Sequence, residues 1–173
     1  MLKVGLYRQV IASSEKCLGP SHPDTLHVIT NLAIALEEDM HLSEAIELHS
    51  RALEAREETL GPEHPATLQS VSTLAVALQK SGDLSKALAL QRRALEARER
   101  LLGPQHPSTQ RSLQRLGSLL GDMDGEEVPG GIVELCCEVV AGRIRMLGPR
   151  HPDTVAAKSV LTLSLCTEPG IAP

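Results

Sequence analysis

Aromatic side chains are almost absent from this sequence. Among its 173 residues it has one tyrosine, Tyr7, and neither phenylalanine nor tryptophan. Sheet proteins are enriched in aromatic and β-branched residues, so the composition argues against a β-sandwich. It also argues against single-stranded nucleic-acid binding, in which bases stack on aromatic rings. The apolar 42% of the chain has to form a core of Leu, Ala, Val and Ile, and such a core suits closely packed helices.

Further absences narrow the class of protein. The net charge is −5 and no basic stripe dominates, so we expect no nucleic-acid partner. The sequence has no apolar run of about 18 residues, so we expect no membrane span. Its first residues lack the layout of a signal peptide. Because the cysteines have no Cys-x-x-Cys spacing, we expect free thiols in a reducing compartment and a cytoplasmic location. The four cysteines are Cys17, Cys136, Cys137 and Cys166.

No pattern typical of catalysis or of cofactor binding is present. The sequence has no nucleophile–base spacing, no Gly-rich phosphate loop and no metal triad, so we expect a non-enzymatic protein without a cofactor or a metal. Asp122, Asp124 and Gly125 match only the middle of a calcium loop, which needs further oxygen ligands and a bidentate Glu. We interpret this segment as a plain acidic loop.

One eight-residue phrase, Leu-Gly-Pro-x-His-Pro-x-Thr, organises the chain. Gly favours the left-handed residue that ends a helix, and the first Pro prevents its continuation. The second Pro suits the first position of the next helix. The phrase therefore predicts a helix end, a turn and a helix start, and a fixed period of this size is typical of stacked repeats. Its copies begin at Leu18, Leu60, Leu102 and Leu147, at spacings of 42, 42 and 45 residues.

The histidine of each copy invites a metal-site interpretation, which we reject. Repeats place these side chains too far apart for one zinc ion, whose bonds to nitrogen are about 2.0–2.1 Å long. We expect each histidine to bond or pack within its own turn. The four residues are His22, His64, His106 and His151.

Apolar residues at helical spacing fill the segments between the copies. The predicted helices span about 2–17, 23–39, 43–59, 65–80, 84–101, 107–120, 131–146 and 152–165. We predict one all-α domain over residues 1–166, a flexible loop at 121–131 and a disordered tail at 167–173. The sequence Arg-Ala-Leu-Glu-Ala-Arg-Glu occurs identically at 51–57 and 93–99. We interpret its alternating Arg and Glu residues as a solvated outer face.

The pattern Leu-Ala…Leu…Gly…Ala…Ala-Leu resembles the tetratricopeptide repeat. The second cycle carries it at Leu74, Ala75, Leu78, Gly82, Ala87, Ala94 and Leu95. The first carries it at Leu32, Ala33, Leu36, Ala45, Ala52 and Leu53, with Met40 in place of the turn glycine. The 42-residue period exceeds the usual value of about 34 and resembles repeats of kinesin light chain and of nephrocystin-type proteins. The resemblance implies a right-handed α-solenoid of antiparallel helix pairs, with incomplete repeats at both ends.

In such a solenoid the first helix of each pair lines the concave side, and residues 42 apart form columns. Two polar columns stand out. Amide side chains can bond a peptide backbone, and Arg can bind a carboxylate or a phosphate. Arg111 and Arg115 resemble the basic pair of carboxylate-clamp repeats, and Asn31 resembles its amide, whereas His27 and Thr73 depart from it. We predict a protein or peptide partner in a concave groove, bound by His27, Asn31, Gln69, Thr73, Arg111 and Arg115.

An alternative interpretation remains open. The chain can be a structural fragment of a longer array or of a multi-domain regulator, with no ligand of its own. Terminal repeats normally need polar caps, and the terminal helices carry apolar residues that look uncapped. Self-association through these helices is then expected. The residues concerned are Leu6, Val10, Leu161 and Leu165.

Overall fold

A computed structural model describes residues 2–103, 105–122 and 132–152, together with Thr154, Val155 and Lys158. In these ranges the chain forms helices and turns and no strand, which confirms the all-α fold class. The helices are α1 (Leu2–Leu18), α2 (Pro23–Glu38), α3 (Leu42–Leu60), α4 (Pro65–Ser81), α5 (Leu84–Leu102), α6 (Pro107–Asp122) and α7 (Ile132–Leu147).

Two predicted segments differ from this description or lie beyond it. Gly121 and Asp122, which we expected in a loop, belong to the last turn of α6. The remainder of that loop, most of the predicted helix at 152–165 and the predicted tail at 167–173 lie outside the described residues.

The chain divides into two compact units, Met1–Leu90 and Gln91–Pro173. The first unit contains α1 to α4 and the first residues of α5. The second contains the rest of α5 with α6 and α7.

The recurring eight-residue sequence forms the predicted helix ends, turns and helix starts. Pro23, Pro65 and Pro107 are the first residues of α2, α4 and α6. Gly61 ends α3 at a φ of 89°, in the left-handed region that favours glycine. The histidine before each of these prolines accepts a hydrogen bond at Nδ1 from the backbone N–H two residues later. The donors to His22, His64 and His106 lie at 3.2, 3.2 and 3.1 Å. These three histidines therefore bond within their own turns, as expected.

Small residues hold the helices of the first unit close together. α2 packs against α1 and α3, and α3 packs against α4. Ala45 and Ala52 of α3 are buried in one cluster with apolar residues of α1 and α2. Those residues are Ile11, Leu26, Ile29, Leu32, Ala33 and Leu36. A core of Leu, Ile and Ala, without aromatic rings, therefore suffices because alanines let the helices approach.

The second unit brings its helices together at two glycines. α6 packs against α7 and buries Leu113 and Leu116. A methyl group added at Gly142 would lie 2.9 Å from Leu113 Cδ2. One added at Gly117 would lie 2.1 Å from the Arg143 guanidinium. Gly117 occupies the register of Ala75 in the first unit, 42 residues earlier. Glycine replaces alanine at this register because the Arg143 side chain lies against α6 there.

Candidate functional site

In the first unit an arginine joins three helices. Arg56, near the end of α3, donates from Nη1 to Thr30 Oγ1 on α2 at 3.3 Å and to Ser70 Oγ on α4 at 2.5 Å. Burial lowers the pKa of Arg56, although the guanidinium stays charged. We call this arrangement the Arg56 junction. Our interpretation of the identical Arg–Glu segments as a solvated face was wrong for Arg56. The alternation of Arg and Glu does not by itself show which arginine points towards a neighbouring helix.

The four candidate residues of the first unit lie on α2 and α4. His27 and Gln69 are exposed, and Asn31 and Thr73 are half-buried. Gln69 and Thr73 are one turn apart and lie on either side of Ser70, which accepts from Arg56. Gln69 is therefore next to the junction in the chain, and Thr73 is one turn of α4 away from it.

A cleft of about 480 Å³ opens beside the Arg56 junction. Arg56 and His27 both line it. Apolar and polar groups from the start of α2, the end of α3 and the start of α4 complete its wall, including Asp24, Leu26 and Leu60. His27, a predicted site residue, therefore lines the same cleft as Arg56, which we had predicted to lie on a solvated outer face.

The second unit repeats the arginine contact. Arg98, near the end of α5, is only 6% exposed and donates from Nη1 to Ser112 Oγ on α6 at 2.5 Å. Ser112 is fully buried, and its carbonyl oxygen accepts from Gln91 Nε2 at 3.2 Å. Arg98 and Ser112 lie 42 residues after Arg56 and Ser70. We call this arrangement the Arg98 junction, and it corrects the solvated-face interpretation for a second residue.

Two more arginines gather at the Arg98 junction. Arg111 and Arg115 lie one turn apart on α6, on either side of Ser112. Arg111 is exposed, and it donates from Nε to the Pro107 carbonyl at 3.4 Å and from Nη2 to Ser108 Oγ at 3.5 Å. Arg115 is half-buried. The structure thus brings together both predicted arginines of the second unit and adds Arg98 to them.

Burial and the neighbouring positive charges both lower the pKa values of arginines in this cluster. Burial lowers the pKa of Arg98, and the charges of Arg115 and Arg111 lower it further. The pKa of Arg115 is lowered by its burial and then by Arg111. Within the part of the chain that the structure describes, neither Arg111 nor Arg115 forms an ion pair with a carboxylate. The cluster is therefore a concentration of positive charge on a chain whose net charge is negative.

A second charged cluster in the first unit is buried. Glu37, at the end of α2, accepts from Lys80 Nζ at 2.6 Å and from His49 Nε2 at 2.9 Å. His49 is 1% exposed, and its burial lowers its pKa although Glu37 acts in the opposite direction. Because these groups satisfy one another inside the unit, we assign them to stability rather than to binding. The sequence patterns did not reveal them, since Gln79 and Gln91 replace Glu37 and His49 in the next cycle.

The described residues were compared with the requirements of a metal site and of a membrane span. Among them there is no group of three or more His, Cys, Asp or Glu that could hold a metal ion. None of the helices in the described ranges has the length and apolar character needed to cross a membrane. Guanidinium, amide and hydroxyl groups dominate the junctions, and these groups bind oxyanions and peptide groups.

These observations define a class of all-α proteins built from repeated helical hairpins. Within that class, the chain belongs to the tetratricopeptide repeat family. A family model described as tetratricopeptide repeat matches residues 42–100 and 70–126. Tetratricopeptide repeats generally mediate protein–protein interactions, and folds of this type are typically non-catalytic scaffolds.

Solved structures agree with this assignment. One contains nearly identical TPR-like repeats attributed to a kinesin light chain of Podosopora anserina. It is 30% identical, has a TM-score of 0.73, and the match covers 94% of this chain and 76% of that one. A variant of the same protein matches with 29% identity and a TM-score of 0.73, over the same shares of the two chains. The predicted likeness to kinesin light chain repeats is confirmed.

A third structure, BtubC (BKLC) from P. vanneervenii, shares the fold alone. It is 17% identical with a TM-score of 0.60, and the match covers 98% of this chain and 75% of that one. A comparison with curated protein sequences gives no match.

Proposed function

We propose that the chain is a non-catalytic interaction module that binds an extended segment of a partner protein. The binding side chains are those on the first helices of its hairpins, α2, α4 and α6. The observation that carries this proposal is the pair Arg111 and Arg115, which lie one turn apart without a carboxylate partner among the described residues. Neighbouring cations that lack an internal counter-charge favour an external one, the more so for the half-buried Arg115.

The remaining candidate residues lie on α2 and α4 of the first unit. His27, Asn31, Gln69 and Thr73 offer hydrogen-bonding groups that are exposed or half-buried. Such groups suit the amides and carbonyls of an extended peptide backbone. A groove that joins these residues to the arginines stays a prediction. The exposed free thiols of Cys17 and Cys137 support the further proposal of a reducing, cytoplasmic location.

Selection from a displayed random peptide library tests the proposal even though the partner is unidentified. The selected peptides would be labelled and their Kd measured by fluorescence polarisation. Each hairpin contacts few ligand residues, so we expect Kd values on the order of micromolar. Arg111→Glu and Arg115→Glu should each weaken binding by about tenfold or more, because a lost charged contact is worth about 1.5–3 kcal/mol.

Arg150→Glu is the matched control. It makes the same change of charge in the same unit, at an exposed turn residue outside the junction. It should leave Kd within about twofold of the unmodified chain, since exposed charges distant from a ligand are screened by salt. The proposal fails if no peptide is selected, or if the three charge reversals weaken binding equally.

An exposed apolar pair supports a second candidate function, self-association. Leu6 is 63% exposed and Val10 is 40% exposed, and they lie one turn apart on α1. The corresponding prediction for Leu161 and Leu165 concerns residues outside the described part of the chain. If α1 pairs with another copy, light scattering should give a dimer that Leu6→Glu converts to a monomer. A monomer before any substitution would exclude this function.

A further inference from the structure

The Arg98 junction has more positive charge than binding of a single carboxylate requires. One carboxylate has one negative charge and two oxygens, and a single bidentate arginine can satisfy it. Here Arg111 and Arg115 lie one turn apart on the same helix, and Arg98 is hydrogen-bonded to Ser112 between them. Three guanidinium groups match a ligand with more charge and more acceptor oxygens.

Arg98 and the two α6 arginines have different access to a ligand. Arg98 is 6% exposed, so it supports the site from beneath rather than through a wide contact. Its hydrogen bond to the buried Ser112 hydroxyl fixes its guanidinium against α6. Arg111 is exposed and Arg115 is half-buried, so these two can reach a bound anion. A fixed buried cation raises the local potential without an ordering cost at the moment of binding.

We propose that Arg111 and Arg115 bind a phosphorylated side chain of the partner, with Arg98 as a buried positioning residue beneath them. A phosphorylated side chain carries a charge of about −1.5 to −2 at neutral pH and three strong acceptor oxygens, which fits two guanidinium forks above a third cation. The proposal rests on the function proposed above, because it names the chemistry that the interaction module recognises in its partner.

The Arg56 junction provides an internal control within the same molecule. It has the same arginine–serine contact, but Gln69 and Thr73 occupy the positions of Arg111 and Arg115. A phosphate ion should therefore distinguish the two junctions. The variants Arg111→Gln and Arg115→Thr give the second junction the side chains of the first.

The experiment follows arginine Nε–Hε signals by NMR while inorganic phosphate is added at constant ionic strength and pH 7.5. A parallel titration uses acetate as the carboxylate probe. We expect saturable shifts for Arg111 and Arg115, none for Arg56, and affinity for phosphate at least about threefold above that for acetate. The double variant with Gln at 111 and Thr at 115 should lose the saturable response.

Two substitutions test the role of Arg98. Arg98→Met should weaken phosphate binding by about tenfold, as expected for loss of a nearby charge, while Arg98→Lys should restore part of it at the signals of Arg111 and Arg115. The affinity for inorganic phosphate should also fall between pH 7.5 and pH 5.5, because protonation converts the dianion to the monoanion and removes one negative charge.

Two results would contradict the proposal. Equal or tighter binding of acetate would overturn phosphate as the ligand, and absence of saturable shifts at Arg111 and Arg115 would overturn the site. Because the probe is a free ion, these results do not depend on peptide selection. Selected peptides that bind without phosphate recognition would leave the interaction module intact and remove only this inference.

Discussion

The Arg56 and Arg98 junctions place the same arginine–serine contact in different surroundings. In the first unit Arg56 donates to the hydroxyl groups of Thr30 and Ser70. In the second unit Arg98 donates to Ser112, and its pKa is lowered by burial and then by the charges of two further guanidinium groups. The backbone register and the buried hydrogen bond are shared, while the α6 side chains beside them are cationic and those of α4 are neutral.

This difference distinguishes arginines that stabilise the repeats from arginines that are available to bind a ligand. Arg143 lies 45 residues after Arg98 and crosses Gly117 of α6. An arginine at this register therefore recurs at a contact between two helices, which favours a structural role for the position. Arg111 and Arg115 replace Gln69 and Thr73, and neither forms an ion pair with a carboxylate among the described residues, so their role is better explained by a ligand.

The largest expected effect tests whether the two units share one packing scheme. Leu74 and Leu116 occupy equivalent positions 42 residues apart, and both are buried. Leu74→Ala and Leu116→Ala should each lower the free energy of unfolding by about 2–5 kcal/mol, through lost burial and a residual cavity. Urea unfolding followed by far-UV circular dichroism measures both. A cost below about 1 kcal/mol at either position would show that the units do not share the scheme.

The next experiment introduces the arginines of the Arg98 junction into the Arg56 junction. Gln69→Arg together with Thr73→Arg should give the Arg56 junction the cation set of the Arg98 junction. Inorganic phosphate should then give a saturable shift of the Arg56 Nε–Hε signal, which the unmodified junction is expected to lack. Gln69→Lys with Thr73→Lys is the control, since ammonium groups add charge without the bidentate fork. An unchanged Arg56 signal in the double-arginine variant would refute the equivalence of the junctions.

A pH titration contrasts the buried His49 of the first unit with Gln91 at its register in the second. Glu37, Lys80 and Arg56 face His49, and burial is the main cause of its lowered pKa. The folded chain therefore binds this proton less readily than the unfolded chain. The free energy of unfolding should fall as the pH drops from about 6.5 towards the lowered pKa, by at most about 1.4 kcal/mol per pH unit, and should be unaffected above that window.

The control for the titration is His49→Gln, which reproduces the residue of the second unit. The other histidines remain, so the difference in slope between the two proteins isolates His49. Parallel curves below pH 6.5, within error, would mean that His49 is not the group responsible.

The smallest expected effect concerns two turns at one register. Met40 has a φ of 62°, while Gly82 has 87°, so both turns require a left-handed residue. A side chain in this region costs about 1–2 kcal/mol, which the greater freedom of unfolded glycine partly offsets. Met40→Gly should therefore raise the free energy of unfolding by up to about 1 kcal/mol. A lower urea midpoint for this variant would contradict the argument.

The repeated phrase made the framework predictable. Each Gly–Pro and His–Pro step acts within its own turn, so local rules place the starts of α2, α4 and α6 at Pro23, Pro65 and Pro107. The arginine junctions were missed because burial of Arg56 and Arg98 depends on contacts with another hairpin. The Glu37–His49 pair was missed because its two residues lie on different helices of one hairpin, and the pair is not repeated in the next cycle.

The central claim is that the first helices of the hairpins bind the partner. Amide chemical-shift mapping with the tightest selected peptide tests it most directly. We predict the largest shifts on α4 and α6, around Gln69, Thr73, Arg111 and Arg115, and small shifts around the exposed Glu54 and Glu96 on the second helices. Shifts confined to α3 and α5 would contradict the claim.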